Sequence, residues 1–225
     1  MLAFIWAAIY ANIHMFYGGA FNFSNDYIAE TLSNHTAIVR LLVRLFYQRF
    51  DPAVNLSGDD RLLKVKSIED EIFAALDTVD NLSEDRIIRQ YVALINATLR
   101  TNFFQSDQQG SLKSYFSFKL LPDSIPDMPL PKPMFEIFVY SPRVEGVHLR
   151  GGKVARGGLR WSDRLEDFRT EVLGLVKAQQ VKNAVIVPTG AKGGFVSKRP
   201  PADNSREAFQ AEGIACYQIF IQALL

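Results

Sequence analysis

The chain has 225 residues, of which 48% are hydrophobic and 22% are charged, and its formal net charge is +1. These proportions argue against a largely disordered chain, and the near-zero charge gives no indication of binding to nucleic acid or to an anionic membrane. Cys216 is the single cysteine, so no internal disulfide can form, which fits a reducing, cytoplasmic compartment.

Residues 1–11 form an apolar run at the start of the chain. The run is shorter than the ~20 residues that a membrane-spanning helix needs, and it lacks the basic start of a secretory signal. We therefore expect either a buried helix or a stretch of non-native sequence, and we treat residues 1–20 as a separate N-terminal stretch.

Apolar residues at helical spacing predict a first helix over residues 26–50. Asp51-Pro52 should end it, because proline disfavours helical geometry in the residue before it. A second helix carries its apolar stripe on Leu62, Val65, Ile68, Ile72 and Leu76. These apolar side chains predict packing rather than catalysis.

A third helix should begin at Ser83 as its N-cap, with Leu82 packing against Ile87, and should extend to Leu99. Residues 21–120 are therefore predicted to be a helical segment. Five prolines follow within residues 122–133, which exclude a helix or a central strand there. Residues 121–134 are the predicted linker between two domains.

Beyond this linker the pattern changes to short extended runs. Strands are predicted at 135–141, 146–150 and 183–187, with a helix over 163–182 that Asp163 and Glu166 would cap. A loop at 189–204 and a helix from Ser205 complete residues 135–225. The expected fold class is therefore α+β or α/β, with a helical segment followed by the start of an α/β domain.

Basic residues are concentrated in the second half of the chain. Residues 143–199 contain twelve Lys and Arg against five Asp and Glu, whereas residues 1–130 contain eleven against fifteen. A charge run is usually a solvated face. Here the basic residues are interleaved with glycines, which makes this region the candidate site for an anionic small molecule. No metal site is predicted.

The helix over 163–182 has an apolar stripe that becomes polar at its end. Phe168, Val172 and Val176 lie on one face, and the same face continues to Gln179 and Lys182. Periodicity alone is equally compatible with a helix end that emerges into solvent.

The segment Gly190-Ala191-Lys192-Gly193-Gly194 is predicted to be a glycine loop with positive φ angles and N–H groups pointing into one concavity. A lysine among other cations and little water can lose its proton far below the usual pKa of about 10.4 and become a base or nucleophile. Taken alone, the segment also fits a turn with an exposed lysine, and it lacks the spacing of a P-loop.

A second glycine-rich loop contains Arg156, Gly157, Gly158 and Arg160. Arginine can bind a planar carboxylate with two parallel hydrogen bonds. The spacing does not match the GxGxxG pattern of a dinucleotide site. Together with Lys192, this loop predicts a receptor for a small dicarboxylate.

Three motifs in this order resemble the substrate-binding core of glutamate dehydrogenases: Arg156-Gly157-Gly158-Leu159-Arg160, Gln179-x-x-Lys182-Asn183 and Gly190-Ala191-Lys192-Gly193-Gly194. The run from Gly151 to Pro201 is similar to the large-subunit, NAD-dependent bacterial class. The helical stretch of about residues 21–104 resembles the region upstream of that core. The resemblance therefore covers most of the chain.

The resemblance implies a role for each residue of the site. Lys192 would be the catalytic lysine, Lys182 with Gln179 would hold the substrate α-carboxylate, and Arg156 would help to hold the side-chain carboxylate. The glycines that would shape the pocket are Gly157, Gly158, Gly193 and Gly194.

The resemblance also implies oxidation of L-glutamate to 2-oxoglutarate and ammonia with NAD as the hydride acceptor, in a full-length homo-oligomer. No dinucleotide motif and no counterpart of the family's catalytic aspartate follow Gly194. We therefore expect an internal fragment that is inactive alone, with NAD bound by a domain outside it. The alternative is a non-catalytic module that senses glutamate or a 2-oxo acid.

Overall fold

The computed structural model describes residues 23–225 except 155, 166, 184–189, 200, 202 and 204. The predictions for residues 1–20 and for most of the strand at 183–187 lie outside the described residues. The chain divides into two compact units, one of which ends at Ala97 while the other contains Thr98–Leu225.

The described residues of the first unit form four helices: α1 Asn25–Asn34, α2 Thr36–Phe50, α3 Gly58–Leu76 and α4 Leu82–Ala97. The predicted helix over 26–50 is interrupted at His35, whose φ of −111° and ψ of 46° lie outside the helical region. The end of α2 at Phe50 confirms the effect expected of Asp51-Pro52.

The predicted N-cap of α4 is wrong by two positions. Asn81, and not Ser83, accepts the hydrogen bond of a free helical N–H, since its Oδ1 lies 2.9 Å from the backbone nitrogen of Ser83. Leu82 is exposed and therefore does not pack as a staple against Ile87. Leu62 is also exposed, so the buried stripe of α3 consists of Val65, Ile68, Ile72 and Leu76.

The second unit is built on a mixed six-stranded sheet, which confirms the predicted α/β character. The strands are β1 Thr98–Thr101, β2 Phe116–Leu120, β3 Phe135–Tyr140, β4 Val144–Arg150, β5 Leu159–Ser162 and β6 Ala191–Ser197. Their order is β1-β2-β3-β4-β6-β5, and only β5 and β6 are parallel among the described strands.

The sheet extends across both sides of the proline-rich segment 121–134. β2 precedes this segment and pairs along its length with β3, which follows it. Proline cannot donate to a strand ladder but is compatible with a connection between antiparallel neighbours. The compact units accordingly divide at Ala97/Thr98, before the segment predicted as the linker.

Two helices cover opposite faces of this sheet: α5 Phe168–Asn183 and α6 Arg206–Leu224. Phe195 belongs to the buried cluster around Phe220 of α6, while its neighbour Gly194 lies against Val172 of α5. Neighbouring residues of a strand point to opposite faces, so these contacts define an α5 face and an α6 face. Among the described helices, none is long and apolar enough to cross a membrane.

Candidate functional site

Lys192 lies in β6, which is an interior strand between β4 and β5. The prediction of a loop at 189–204 is therefore wrong over residues 191–197. The backbone of Lys192 is paired with Leu149 of β4, and its side chain is half-buried. Leu149 in turn pairs with Glu136, whose carboxylate binds Arg169 of α5, so Lys192 belongs to the α5 face.

The expected positive φ angles are also wrong for this segment. Gly110 is the glycine with positive φ in the described part of the chain, and Gly190, Gly193 and Gly194 do not adopt that conformation. The reason for these glycines is close packing. A Cβ on Gly193 would lie 2.4 Å from Leu159 Cδ2, and one on Gly194 would lie 2.5 Å from Val172 Cγ2.

The loop before β5 is in direct backbone contact with the start of β6. The N–H of Ala191 donates to the carbonyl of Arg156 at 2.8 Å, and the N–H of Gly193 donates to the carbonyl of Gly158 at 3.2 Å. A Cβ on Gly157 would lie 1.4 Å from the carbonyl oxygen of Ala191. Only glycine allows this approach.

The side chain of Lys192 reaches the same loop. Its Nζ lies 3.9 Å from the position that a Cβ of Gly158 would occupy. The side chain of Arg156 is exposed and its carbonyl is held by β6. The lysine amine therefore lies beside the Arg156-Gly157-Gly158 segment, as the dicarboxylate hypothesis requires.

Gln179 joins this arrangement from the last turns of α5. Its Nε2 lies 2.9 Å from the position of a Cβ on Gly190, and the side chain is half-buried. The carbonyl of Gly190 accepts from the N–H of Gly151 at 3.0 Å. Lys182 lies in the same helix, but its side chain is outside the described residues.

Arg160 does not contribute a free guanidinium to the site. Its Nε lies 2.6 Å from Oε1 of Glu171, and the hydroxyl of Ser162 donates to Oε2 of the same carboxylate at 2.6 Å. Glu171 thus connects β5 with the first turn of α5. Arg160 is exposed but paired with a carboxylate of its own chain, which leaves Arg156 as the arginine of this loop that can meet a ligand.

The orientation of α5 depends on a pair that sequence reasoning missed. Arg169 donates from Nε and from a terminal nitrogen to the two carboxylate oxygens of Glu136. The two residues are 33 positions apart, so no local spacing signals the contact. The pair holds the first turn of α5 against β3 and thereby places Gln179 at the other end of the helix.

Comparison with known proteins agrees with the motifs. The family model described as "Bacterial NAD-glutamate dehydrogenase, catalytic domain" matches residues 71–225. A second model, "Glutamate dehydrogenase, helical motif 3", matches residues 18–52. The two models together match parts of both compact units and leave residues 53–70 unmatched.

Three bacterial proteins named "NAD-specific glutamate dehydrogenase" are similar to the chain. The Pseudomonas aeruginosa protein is 66% identical over 203 residues, which are 90% of this chain and 12% of that protein. The Halomonas elongata protein is 62% identical over 205 residues, covering 91% of the chain and 12% of the relative. The Mycobacterium tuberculosis protein is 53% identical over 212 residues, covering 91% and 13%.

The chain thus spans about an eighth of the length of the curated relatives that it matches. The family model nevertheless covers more than half of the chain, including all three motifs around Lys192. This confirms the resemblance drawn from those motifs. The chain belongs to the bacterial NAD-dependent glutamate dehydrogenase family.

Proposed function

We propose that residues 151–194 form the glutamate-binding part of an NAD-dependent glutamate dehydrogenase, which oxidises L-glutamate to 2-oxoglutarate and ammonia. The observation that carries the proposal is the position of the Lys192 amine beside Gly158, with Gln179 at the neighbouring Gly190. The amine and the carboxamide thus lie beside the contact between β6 and the Arg156-Gly157-Gly158 segment, and the side chain of Arg156 is exposed. This is the chemistry that a dicarboxylate with a central amine or carbonyl requires.

The cations would hold the two ends of the substrate. Arg156 would bind the side-chain carboxylate, and Lys182 with Gln179 would bind the α-carboxylate. The glycines Gly157, Gly158, Gly193 and Gly194 would shape the pocket by allowing the loop, β6 and α5 to approach closely. Fixing both carboxylates orients the α-carbon and removes rotational freedom before the reaction.

Lys192 would act on the reacting carbon. After the α-carbon has lost its hydride, the resulting iminoglutarate is attacked by water, and the amine of Lys192 would take up the water proton. A lysine does this only as the neutral amine. In its protonated form the same group would stabilise negative charge that develops on the substrate oxygen.

NAD would supply the hydride acceptor, and the residues of this chain do not fit a dinucleotide site. The connection from β6 to α6 contains no glycine between residues 198 and 205, whereas a dinucleotide turn requires glycines that let the backbone approach the pyrophosphate. We assign NAD to residues outside this chain. The isolated 225-residue chain should accordingly form no NADH from glutamate.

The proposal extends to the location, the assembly and the metabolic role of the full-length enzyme. The full-length enzyme would be a cytoplasmic homo-oligomer that acts in glutamate catabolism. The alternative, a stand-alone sensor of glutamate or a 2-oxo acid, would use the same cationic surface. Membership of an enzyme family supports the dehydrogenase over the sensor.

Substrate binding can be tested in an exchange enzyme, which is the Pseudomonas aeruginosa relative with its matching segment replaced by this chain. Calorimetric titration with 2-oxoglutarate should show about tenfold weaker binding for Arg156→Gln and for Gln179→Ala, the loss expected for one charge-assisted hydrogen bond. Lys177→Gln, which removes an exposed cation of α5, should bind as the unmodified exchange enzyme.

Two results would contradict the proposal. Unchanged 2-oxoglutarate affinity in Arg156→Gln and Gln179→Ala would remove these residues from the substrate site. An exchange enzyme that binds 2-oxoglutarate but forms no NADH from glutamate would favour the sensor.

A further inference from the structure

Cations line up across neighbouring strands on the α6 face of the sheet. Arg100 of β1 is directly opposite Lys119 of β2, and the row continues through Ile137 to His148 of β4. Arg150 is two residues beyond His148, so its side chain points to the same face. Like charges directly opposite each other on a sheet are destabilising. A negatively charged group bound beside Arg100 and Lys119 would offset their repulsion.

Among the described residues, no Asp or Glu side chain forms an ion pair with these cations. Arg100, Lys119 and Arg150 make no ion pair there, although nine other ion pairs are formed. Lys119 instead stands 4.0 Å above the ring of Phe135. Arg150 donates to Nδ1 of His148 at 3.4 Å.

The local field at these groups is positive. Burial, followed by the charges of Arg100 and Arg150, lowers the pKa of Lys119 below its ordinary value. Burial and Arg100 likewise lower the pKa of Arg150. Burial, with Arg150 beside it, lowers the pKa of His148 to about 4, so the imidazole is neutral at pH 7 and can accept the hydrogen bond of Arg150.

A polar cleft of about 140 Å³ opens at this cluster, beside the last turn of α6. Arg100 and Lys119 line it together with a third cation, Lys113, and no Asp or Glu side chain is among its described lining residues. Leu225, the last residue of the given chain, also lines it. The neutral donors at its wall are the carboxamides of Asn102, Gln105 and Gln222. The volume is smaller than the roughly 300–1,000 Å³ of drug-sized ligand sites, which limits the occupant to a small molecule.

We propose that Arg100, Lys113 and Lys119, which line this cleft, bind a small multivalent oxyanion, carrying either phosphate or several carboxylates, with Arg150 adding positive charge beside them. Guanidinium groups bind both through paired charge-assisted hydrogen bonds. A bound anion would remove the repulsion between Arg100 and Lys119 and thereby stabilise the folded chain.

This oxyanion site is separate from the proposed substrate site. Lys192 is paired with Leu149, which lies between His148 and Arg150 in β4, so the side chain of Lys192 points to the other face of the sheet. The inference therefore does not depend on the dehydrogenase assignment, and each can fail without the other.

The test uses the exchange enzyme, in which the chain continues beyond Leu225, with pyrophosphate and tricarballylate as probes at low ionic strength. Each probe that fits should raise the unfolding temperature in a saturable manner and give a dissociation constant by calorimetry. The Arg100→Gln/Lys119→Gln double variant should lose at least tenfold in affinity. Arg206→Gln is the matched control, because it removes an exposed cation at the opposite end of α6.

The site is supported if a probe binds, the double variant weakens its binding and Arg206→Gln does not. Which of the two probes binds then identifies the ligand class as phosphate or carboxylate. The proposal is overturned if neither probe binds, or if Arg206→Gln weakens binding as much as the double variant. It is also overturned if Lys192→Met abolishes binding while the double variant retains it, because the probe would then occupy the substrate site.

Discussion

The guanidinium of Arg169 binds both carboxylate oxygens of Glu136, at 2.9 and 2.8 Å, with both side chains almost completely buried. The contact joins the first turn of α5 to the interior strand β3. Since Gln179 lies on the same helix, this pair sets the position of one wall of the proposed substrate site.

Breaking this pair should destabilise the chain strongly. Glu136→Leu leaves the buried guanidinium of Arg169 without its counter-charge, and we expect a loss of about 3–5 kcal/mol in the free energy of unfolding. The Glu136→Leu/Arg169→Met double variant removes both charges and should recover most of that loss. Urea denaturation of the 225-residue chain measures both variants. A Glu136→Leu variant that stays within about 1 kcal/mol of wild type, the usual net contribution of one hydrogen bond, would contradict the account.

The contact between Gly157 and Ala191 gives a second prediction. Gly157→Ala would place its Cβ 1.4 Å from the Ala191 carbonyl oxygen, so the loop must move and the hydrogen bond from Ala191 to Arg156 must break. We expect about 1–3 kcal/mol of destabilisation and loss of glutamate oxidation in the exchange enzyme.

Gly174→Ala is the control for this change. Gly174 is exposed in the middle of α5, and nothing lies within 4 Å of its Cβ position. Alanine there should stabilise the helix by about 0.5–1 kcal/mol and leave the reaction rate unchanged. If Gly157→Ala and Gly174→Ala had equal effects on thermal unfolding and on the reaction rate, the close contact between Gly157 and the carbonyl of Ala191 would be unimportant.

The motifs of the site can be recognised in the sequence, but the secondary structure of the segment around Lys192 was not predicted from it. Gln179 lies beside Gly190, and the amine of Lys192 lies near Gly158, so residues of all three motifs are close together. The strand conformation of residues 191–197 was missed, because glycines at 193 and 194 indicate a turn when considered locally. Those glycines are required by Leu159 and Val172, which pack against them from distant parts of the chain.

Contacts between distant residues account for the other differences. Arg160 is available to a ligand in the sequence pattern, but Glu171 binds it in the fold. The sequence pattern assigns residues 98–101 and 116–120 to the helical segment 21–120. In the fold they form β1 and β2, because β2 pairs with β3 and β1 pairs with β2. Hydrophobic periodicity reports neither kind of contact, since both depend on tertiary structure.

The ion pair of Glu212 with Arg143 predicts a dependence of stability on pH. The hydrogen bond from Arg143, 2.8 Å long, lowers the pKa of Glu212 to about 2, against an ordinary value of about 4.3 in an unfolded chain. The unfolded chain therefore takes up the proton first as pH falls. The stabilisation is fully present above about pH 4.3 and is lost as pH falls towards 2.

Urea denaturation at pH 5 and at pH 3 measures this effect. The difference in unfolding free energy between wild type and Glu212→Gln should be larger at pH 5 than at pH 3. Arg143→Gln should remove the same pH-dependent part. A difference between wild type and Glu212→Gln that stays constant over this range would contradict the predicted linkage.

The central claim concerns the amine of Lys192. Steady-state oxidation of glutamate by the exchange enzyme should show a fall in kcat of about 10²–10⁴-fold for Lys192→Gln, the usual contribution of a general acid–base group. Lys177→Gln, on an exposed position of α5, should retain the full rate. A Lys192→Gln enzyme that oxidises glutamate with an unchanged kcat, while remaining folded, would contradict the assignment of Lys192 as the catalytic base.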